Sequence, residues 1–269
     1  MSVLKIIPNN DYHADRSHLS ASTIKTILKN PYEYLNPVEK SNDSLLLGNV
    51  VHKLVLEPET FNEEFAVMPV CDRRTKAGKE IHANFIEESN GKECVTQEMY
   101  DQALEMSKAI SEQKEIKELL LSNGLPERSI FSEIDGIKVK CRPDYYREDL
   151  GLIVDLKTTV DSSPDGFVRQ VASYGYFIQA AFYLDVLKSV GLPANKFIFV
   201  AVSKTEPYMV GVYELTEQDI ELGRDMYKKA FEIYRDIDSY KKPVYLSQEK
   251  EIVQTLVLPN YVYYKLGAM

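Results

Sequence analysis

Two carboxylates and a lysine stand close together near the middle of the chain. Asp144 follows the short alternating run Ile137–Cys141 and the dipeptide Arg142-Pro143. Eleven residues further on, Asp155 and Lys157 close the apolar run Leu152–Leu156. Such a set suits phosphodiester hydrolysis assisted by magnesium. Carboxylate oxygens are the ligands magnesium takes, together with water and substrate phosphate. The cation lowers the pKa of a bound water and neutralises charge that develops on the phosphate. A neighbouring ammonium can orient the attacking water. Asp155 and Lys157 are two residues apart, so on a strand they point to the same face. An Asp-X-Lys triplet on its own is common by chance. Here its charges close an otherwise apolar strand, where a charge is costly unless it is used or paired.

Composition bounds the setting of this set. With 269 residues, 44% of them hydrophobic and 27% charged, the chain is long enough for a sizeable core and reads as an ordinary globular protein. No apolar run is long enough to span a membrane, and Met1–Pro8 is too short and broken for a secretory signal. Cys71, Cys94 and Cys141 are far apart, lack metal-ligand spacing and are expected to be free thiols in a reducing cytoplasm. The net charge of −9 argues against a generally basic DNA-binding surface. It leaves room for local basic clusters. One is formed by Lys138, Lys140, Arg142 and Arg147, another by Arg73, Arg74, Lys76 and Lys79. The ordinary role of such runs is a solvated face, an even alternative for the second cluster.

The elements that must position the acids can be read from caps, breakers and periodicity. Ser20 or Ser22 caps a helix from about Thr23 to Lys29, stopped by Pro31. Leu45–Leu56 reads as a buried helix ended at Glu57-Pro58. Residues 61–95 are the least regular, with Cys71–Lys79 expected to be an exposed loop. Thr96–Leu121 is a surface helix or helical pair, broken by Gly124-Leu-Pro126. Ser129–Ile134 and Ile137–Cys141 flank Asp135-Gly136, a strong hairpin signal. Leu152–Leu156 is a strand, Phe167–Val190 one long helix, and Lys196–Ser203 and Tyr208–Leu215 two further strands. Thr216 caps a last helix, Glu217–Tyr240. The tyrosine-rich tail from Pro243 (Tyr261, Tyr263, Tyr264) is expected to pack on the core or on a neighbouring subunit. The order implies an α/β (α+β) fold, with a mixed central sheet flanked by helices and an N-terminal helical extension. It forms one domain over 1–269: a mainly helical part to about 125, an α/β core over about 126–240, and a tail over 241–269.

Pro143-Asp144 followed by Asp155-Leu156-Lys157 resembles the PD-(D/E)XK nuclease signature. Gly48-Asn-Val-Val-His52 resembles the helix that supplies a histidine ligand in the RecB-like branch of that superfamily. Gln179-Ala-Ala-Phe-Tyr183 resembles the Gln-x-x-x-Tyr motif of the same branch. Together with Leu19-Ser-Ala-Ser22, Asn30-Pro31, Cys141-Arg-Pro-Asp144 and Asp155-Leu-Lys-Thr-Thr159, these segments resemble the RecE (exonuclease VIII) C-terminal nuclease domain. The likeness runs from about residue 12 to residue 215. Each motif is weak; their order is specific.

The resemblance implies a restriction-endonuclease-like core and a set of roles. His52, Asp144, Asp155 and the backbone carbonyl of Leu156 would hold Mg²⁺, with Mn²⁺ able to substitute. Lys157 would position the nucleophilic water. Glu127 or Glu133 would complete the site, with Glu127 slightly favoured. Gln179 and Tyr183 would contact the DNA backbone or brace the site, and Thr158, Arg74, Lys76 and Arg142 would contact DNA. His13, His18 and His82 are expected to be structural. The implied activity is 5′-to-3′ degradation of one strand of linear double-stranded DNA, leaving 3′ tails for recombination by strand annealing. It would be carried out by a ring-shaped homotetramer of phage or prophage type, with a RecT-like annealing protein as partner and no membrane. Two other readings are a RecB-like endonuclease or CRISPR-adaptation-type nuclease, and a non-catalytic DNA-end-binding scaffold. The scattered cysteines speak against the iron–sulfur cluster usual in the former.

Overall fold

The computed structural model describes residues 3–38, 42–246, 251–260 and 263. It opens with helices α1 (Asn9–Ala14), α2 (Ala21–Lys29), α3 (Pro31–Leu35), α4 (Asp43–Leu56) and α5 (Phe61–Glu64). Next come strand β1 (Phe65–Met68), helix α6 (Lys76–Glu88), strand β2 (Glu93–Thr96), and helices α7 (Gln97–Ser111) and α8 (Lys114–Leu121). The central strands are β3 (Leu125–Pro126), β4 (Ile130–Ile134), β5 (Ile137–Cys141), β6 (Tyr145–Arg147) and β7 (Leu152–Thr159). Helices α9 (Pro164–Tyr174) and α10 (Tyr176–Ser189), strands β8 (Lys196–Ser203) and β9 (Val210–Glu214), and helix α11 (Glu217–Arg235) follow.

The main sheet is mixed, in the order β3-β6-β7-β8-β9, with β7 and β8 parallel and the other neighbours antiparallel. Strand alternation divides it between two cores. Ile153, Phe197, Phe199 and Ala201 face α2, α10 and α11, where Ile24, Ile27, Phe182 and Phe231 are buried. Leu152, Val154, Leu156, Val200 and Val202 face α4 and α7, where Val50, Val51 and Met106 are buried. Burial of each such side chain contributes roughly 1.5–3 kcal/mol. The central strands therefore read as continuous apolar runs because both of their faces are covered. Helix α10 is apolar on nearly every side for the same reason.

The hairpin β4-β5 turns on Asp135 and Gly136, both at positive φ (51° and 76°), as a two-residue turn matched to strand twist requires. The N-terminal segment is stitched to this hairpin. Leu19 N–H donates to the Lys138 carbonyl at 2.9 Å, and Lys140 N–H donates to the Leu19 carbonyl at 2.8 Å. Ser20, not Ser22, is the N-cap of α2, in a capping box with Thr23.

Several expectations are corrected. Residues 61–95 hold the parallel pair β1-β2 and helix α6, so Lys76 and Lys79 sit on a helix rather than in a loop. The stretch 167–190 is two helices, because Gly175 adopts a left-handed conformation (φ 61°) that ends α9. The last helix stops at Arg235, and a single 3₁₀ turn covers Ile237–Tyr240. Strand β6 was not legible, since its three residues carry no alternation. Of the tail, Ile252, Val253, Leu256 and Val257 are exposed and do not pack on the core. Tyr261 and Tyr264 lie outside the described residues. No helix among the described residues is long and apolar enough to cross a membrane.

Candidate active site

The site forms where β3, β6 and β7 meet α4 and α10. Strand β7 carries its axis. Its odd residues face α10 and its even residues face α4, so one strand serves two sides of the site. Leu156 is buried toward α4. On the other side, Asp155 Oδ1 accepts a hydrogen bond from Gln179 Nε2 of α10 at 2.6 Å. Lys157 lies on the same face as Asp155, and its ammonium is in ion-pair contact with Asp155 Oδ2. That buried oxygen has no hydrogen bond of good geometry among the described residues.

Asp144 directly precedes β6. Its Oδ2 accepts a hydrogen bond from Leu156 N–H at 2.6 Å, which fixes the carboxylate against β7. Glu127 directly follows β3, and its own N–H donates to the Asp144 carbonyl at 3.1 Å. The two acids are thus held side by side by the β3-β6 pairing. Glu127 has φ 50°, a conformation that is uncommon for a residue with a side chain and is found enriched at functional sites.

His52 comes from α4. Its Nε2 lies 2.9 Å from the Leu156 carbonyl oxygen and its Nδ1 lies 3.5 Å from Asp144 Oδ2. Ligand atoms of His52, Glu127 and Asp144 all fall within 4.8 Å of one another. One imidazole and two carboxylates, with a carbonyl oxygen alongside, form a donor set suited to magnesium or manganese. His52 Nε2 and the Leu156 oxygen stand at hydrogen-bond distance, so the imidazole nitrogen and the carbonyl oxygen lie side by side. The residues present therefore fit a divalent cation.

Electrostatics point the same way. Burial, and then the Asp144 carboxylate, push the Glu127 carboxyl well above the usual range. Burial pushes Asp155 up to about 6; Lys157 opposes this and Asp144 adds to it. Burial works to lower Lys157, but the Asp155 and Asp144 carboxylates outweigh it and hold the ammonium above its usual value. Crowded carboxylates of this kind are relieved by taking up a proton or by a bound cation.

The structure sorts the remaining expected residues. Glu133 is exposed on β4, opposite Lys138, away from the acids. Asp155 is not among the three residues that converge; its oxygens are taken by Gln179 and Lys157. Gln179 is buried and braces Asp155 instead of presenting itself to a DNA backbone. Tyr183 packs edge-on against Phe197 within the core. Its hydroxyl is pushed well up by burial, then by neighbouring Tyr12, Cys141, Asp155 and Asp144. Thr158 faces α4 at Gly48.

The basic cluster expected around Asp144 is largely spent on structure. Arg142 donates to Ser129, Asn9 and the Ile7 carbonyl, and stacks over Tyr12 with 4.0 Å from Cζ to the ring centroid. Lys140 is buried against the Tyr12 and Asp15 carbonyls. Arg147 binds Asp149, Ser122 and the Glu118 carbonyl. Arg74 is exposed beside Asp72, and Lys76 opens α6. No contact joins Arg74 or Lys76 to the acids among the described residues.

Sequence reasoning missed Lys25 and Tyr176. The Tyr176 ring lies under the Lys157 ammonium at 4.9 Å and under the Lys25 ammonium at 5.4 Å. The available signal was a lysine on the inner side of an amphipathic helix, sharing a stripe with Ala21 and Leu28 at spacings of four and three.

A family model described as a PDDEXK-like domain of unknown function (DUF3799) matches residues 20–254. The chain is similar in structure to a crystal structure of a candidate exonuclease from Eubacterium rectale, with a TM-score of 0.62 and 16% identity over 98% of this chain and 100% of that one. At that identity the likeness concerns the fold. A further solved structure, of SSO0001, aligns over 84% of this chain and 96% of that one at 17% identity, with a TM-score of only 0.31. No curated protein matches the chain.

Proposed function

This chain belongs to the PDDEXK-like family described above, and on that premise we propose that it is a magnesium-dependent exodeoxyribonuclease. The observation that carries this reading is the convergence of His52, Glu127 and Asp144 within 4.8 Å, beside a strand that bears Lys157. In this reading His52, Glu127, Asp144 and the Leu156 carbonyl hold the cation. When bound, such a cation lowers the pKa of a water and neutralises charge building on the phosphate. The remaining work falls to the chain's own residues. Lys157 holds the attacking water or a phosphate oxygen with its ammonium. Asp155 anchors Lys157, and Gln179 anchors Asp155, so the ammonium is positioned before substrate arrives. The buried apolar walls formed by Val154, Leu156 and Val200 exclude bulk water from one side.

Linear double-stranded DNA as substrate, 5′-to-3′ polarity, a ring-shaped tetramer, a role in recombination and a RecT-like annealing partner all belong to the same reading. They rest on the resemblance to RecE. The Eubacterium rectale neighbour, itself described as a candidate exonuclease, supports exonuclease over endonuclease action.

The test is digestion of end-labelled linear duplex DNA with Mg²⁺, compared with closed circular DNA. Linear substrate should be degraded and circular substrate spared. Asp144→Asn and Lys157→Ala should each abolish degradation while leaving the fold intact by circular dichroism. Full activity in both variants would overturn the site, and binding without cleavage by the natural chain would favour a scaffold.

A further inference from the structure

Lys25 on α2 has no task in the reading above. Its side chain is half-buried, and its stem lies against Gly175, with Cδ 3.2 Å and Cγ 3.6 Å from where a Cβ would stand on that glycine. Among the described residues, the ammonium makes no ion pair and no hydrogen bond; it stands over the face of Tyr176 at 5.4 Å. The Lys157 ammonium lies over the same ring at 4.9 Å. One aromatic ring therefore holds two cations, and only Lys157 has a carboxylate partner. Burial, and then the Lys157 ammonium, lower Lys25 to about 8; the Asp155 carboxylate, already in ion-pair contact with Lys157, opposes this only in part. A partly desolvated cation set beside another cation is costly unless an anion joins it.

The aromatic side of this arrangement continues outward. Tyr174, 59% exposed at the C-terminal end of α9, stacks on Tyr176 with ring centroids 5.6 Å apart and planes at 25°. The left-handed Gly175 between them is what brings the two rings to one side of the helix break. The result is a shelf with an exposed outer ring, an inner ring, and two ammonium groups at the inner end. Exposed rings next to cations are how single-stranded nucleic acid is held without regard to sequence. The base stacks on the ring and the phosphate meets the cation.

We propose that Lys25, Tyr174 and Tyr176 form a nucleotide subsite next to the reacting phosphate, in which Lys25 takes the phosphate of the neighbouring nucleotide of a single strand and the tyrosine shelf takes its base. A duplex keeps its bases stacked on each other, so the subsite selects a strand that has already frayed from its partner. This rests on the reading of the chain as a DNA nuclease, and Lys25 is here a binding residue with no part in bond breaking.

The experiment measures binding of a short fluorescent oligothymidylate by anisotropy in EDTA, across a salt series, so that hydrolysis does not enter. Lys25→Gln should weaken binding about tenfold and make the salt dependence shallower by about 0.7, the value for one lost phosphate contact on a single strand. Lys25→Arg should restore both. Tyr174→Ala, at an exposed position where folding is not at stake, should weaken binding with the salt dependence unchanged. Unaltered affinity in Lys25→Gln and Tyr174→Ala would overturn the proposal. So would failure of the natural chain to bind, or equal loss in Lys25→Gln and Lys25→Arg. Hydrolysis of linear duplex DNA with Mg²⁺ is scored separately. Binding that follows the expected pattern in a chain with no hydrolysis would retain the subsite and remove the nuclease reading.

Discussion

Gln179 Nε2 donates a 2.6 Å hydrogen bond to Asp155 Oδ1 across the interface between α10 and β7, and both groups are buried. The bond ties the helix that covers the sheet to the strand that carries Lys157. It leaves the other Asp155 oxygen to face the Lys157 ammonium.

Gln179→Leu keeps the volume and removes the donor. A buried acceptor left without its partner costs about 1–3 kcal/mol, and more when it is charged. The variant should therefore unfold at lower urea concentration. It should also lose most DNA-degrading activity with little change in KM, because Asp155 and Lys157 are no longer held in place. A variant with natural stability and natural kcat would show that the bond has neither role.

Glu127→Gln removes one of two crowded carboxylates. Without added metal its Tm should rise, because repulsion from Asp144 is relieved. The natural chain should gain on the order of 2.7 kcal/mol from Mn²⁺ at a hundredfold excess over Kd, and the variant should gain much less. Thermal melts with and without Mn²⁺ check both halves. Equal metal-induced shifts in the two proteins would exclude Glu127 as a ligand.

Gly175→Ala should be destabilising. The residue holds φ 61°, which costs a side-chain-bearing residue roughly 1–2 kcal/mol. A Cβ there would also stand 3.2 Å from Ile178 Cδ1 and 3.2 Å from Lys25 Cδ. A urea midpoint equal to that of the natural chain would show that the break between α9 and α10 does not depend on glycine.

Stability should fall in acid partly through Asp15. Burial works to raise its pKa, but the Ser17 hydroxyl and N–H, His18 and Lys140 outweigh it and hold the carboxyl well below the usual range. A depressed folded-state pKa contributes stability above the unfolded value, about 3.9, and that contribution is lost as pH falls through the folded value. Tm measured from pH 5 downward should drop less steeply in Asp15→Asn than in the natural chain. Parallel curves would exclude this contribution.

Much of the site was legible because it depends on local periodicity. Asp155 and Lys157 share a face on any strand, and Ser20 caps α2 through residues three apart. Asp135-Gly136 turns the hairpin through backbone angles that few other dipeptides adopt easily. The break at Gly175 was hidden because helix-forming sequence runs on both sides of it, amphipathic before and apolar after, and the pair β1-β2 by strands of only four residues separated by a helix.

By itself the sequence determined the order of the motifs, the element types around them and the faces on which Asp155, Lys157, Gln179 and Tyr183 lie. Tertiary structure alone decided which distant groups meet. It chose Glu127 over Glu133 through a positive-φ turn hydrogen-bonded to Asp144. It turned Gln179 inward, spent Arg142 on the N-terminal segment, and set Lys25 over the ring shared with Lys157. Periodicity and turn chemistry act over a few residues. The partner of a buried charge is set by packing between elements that lie far apart in the chain.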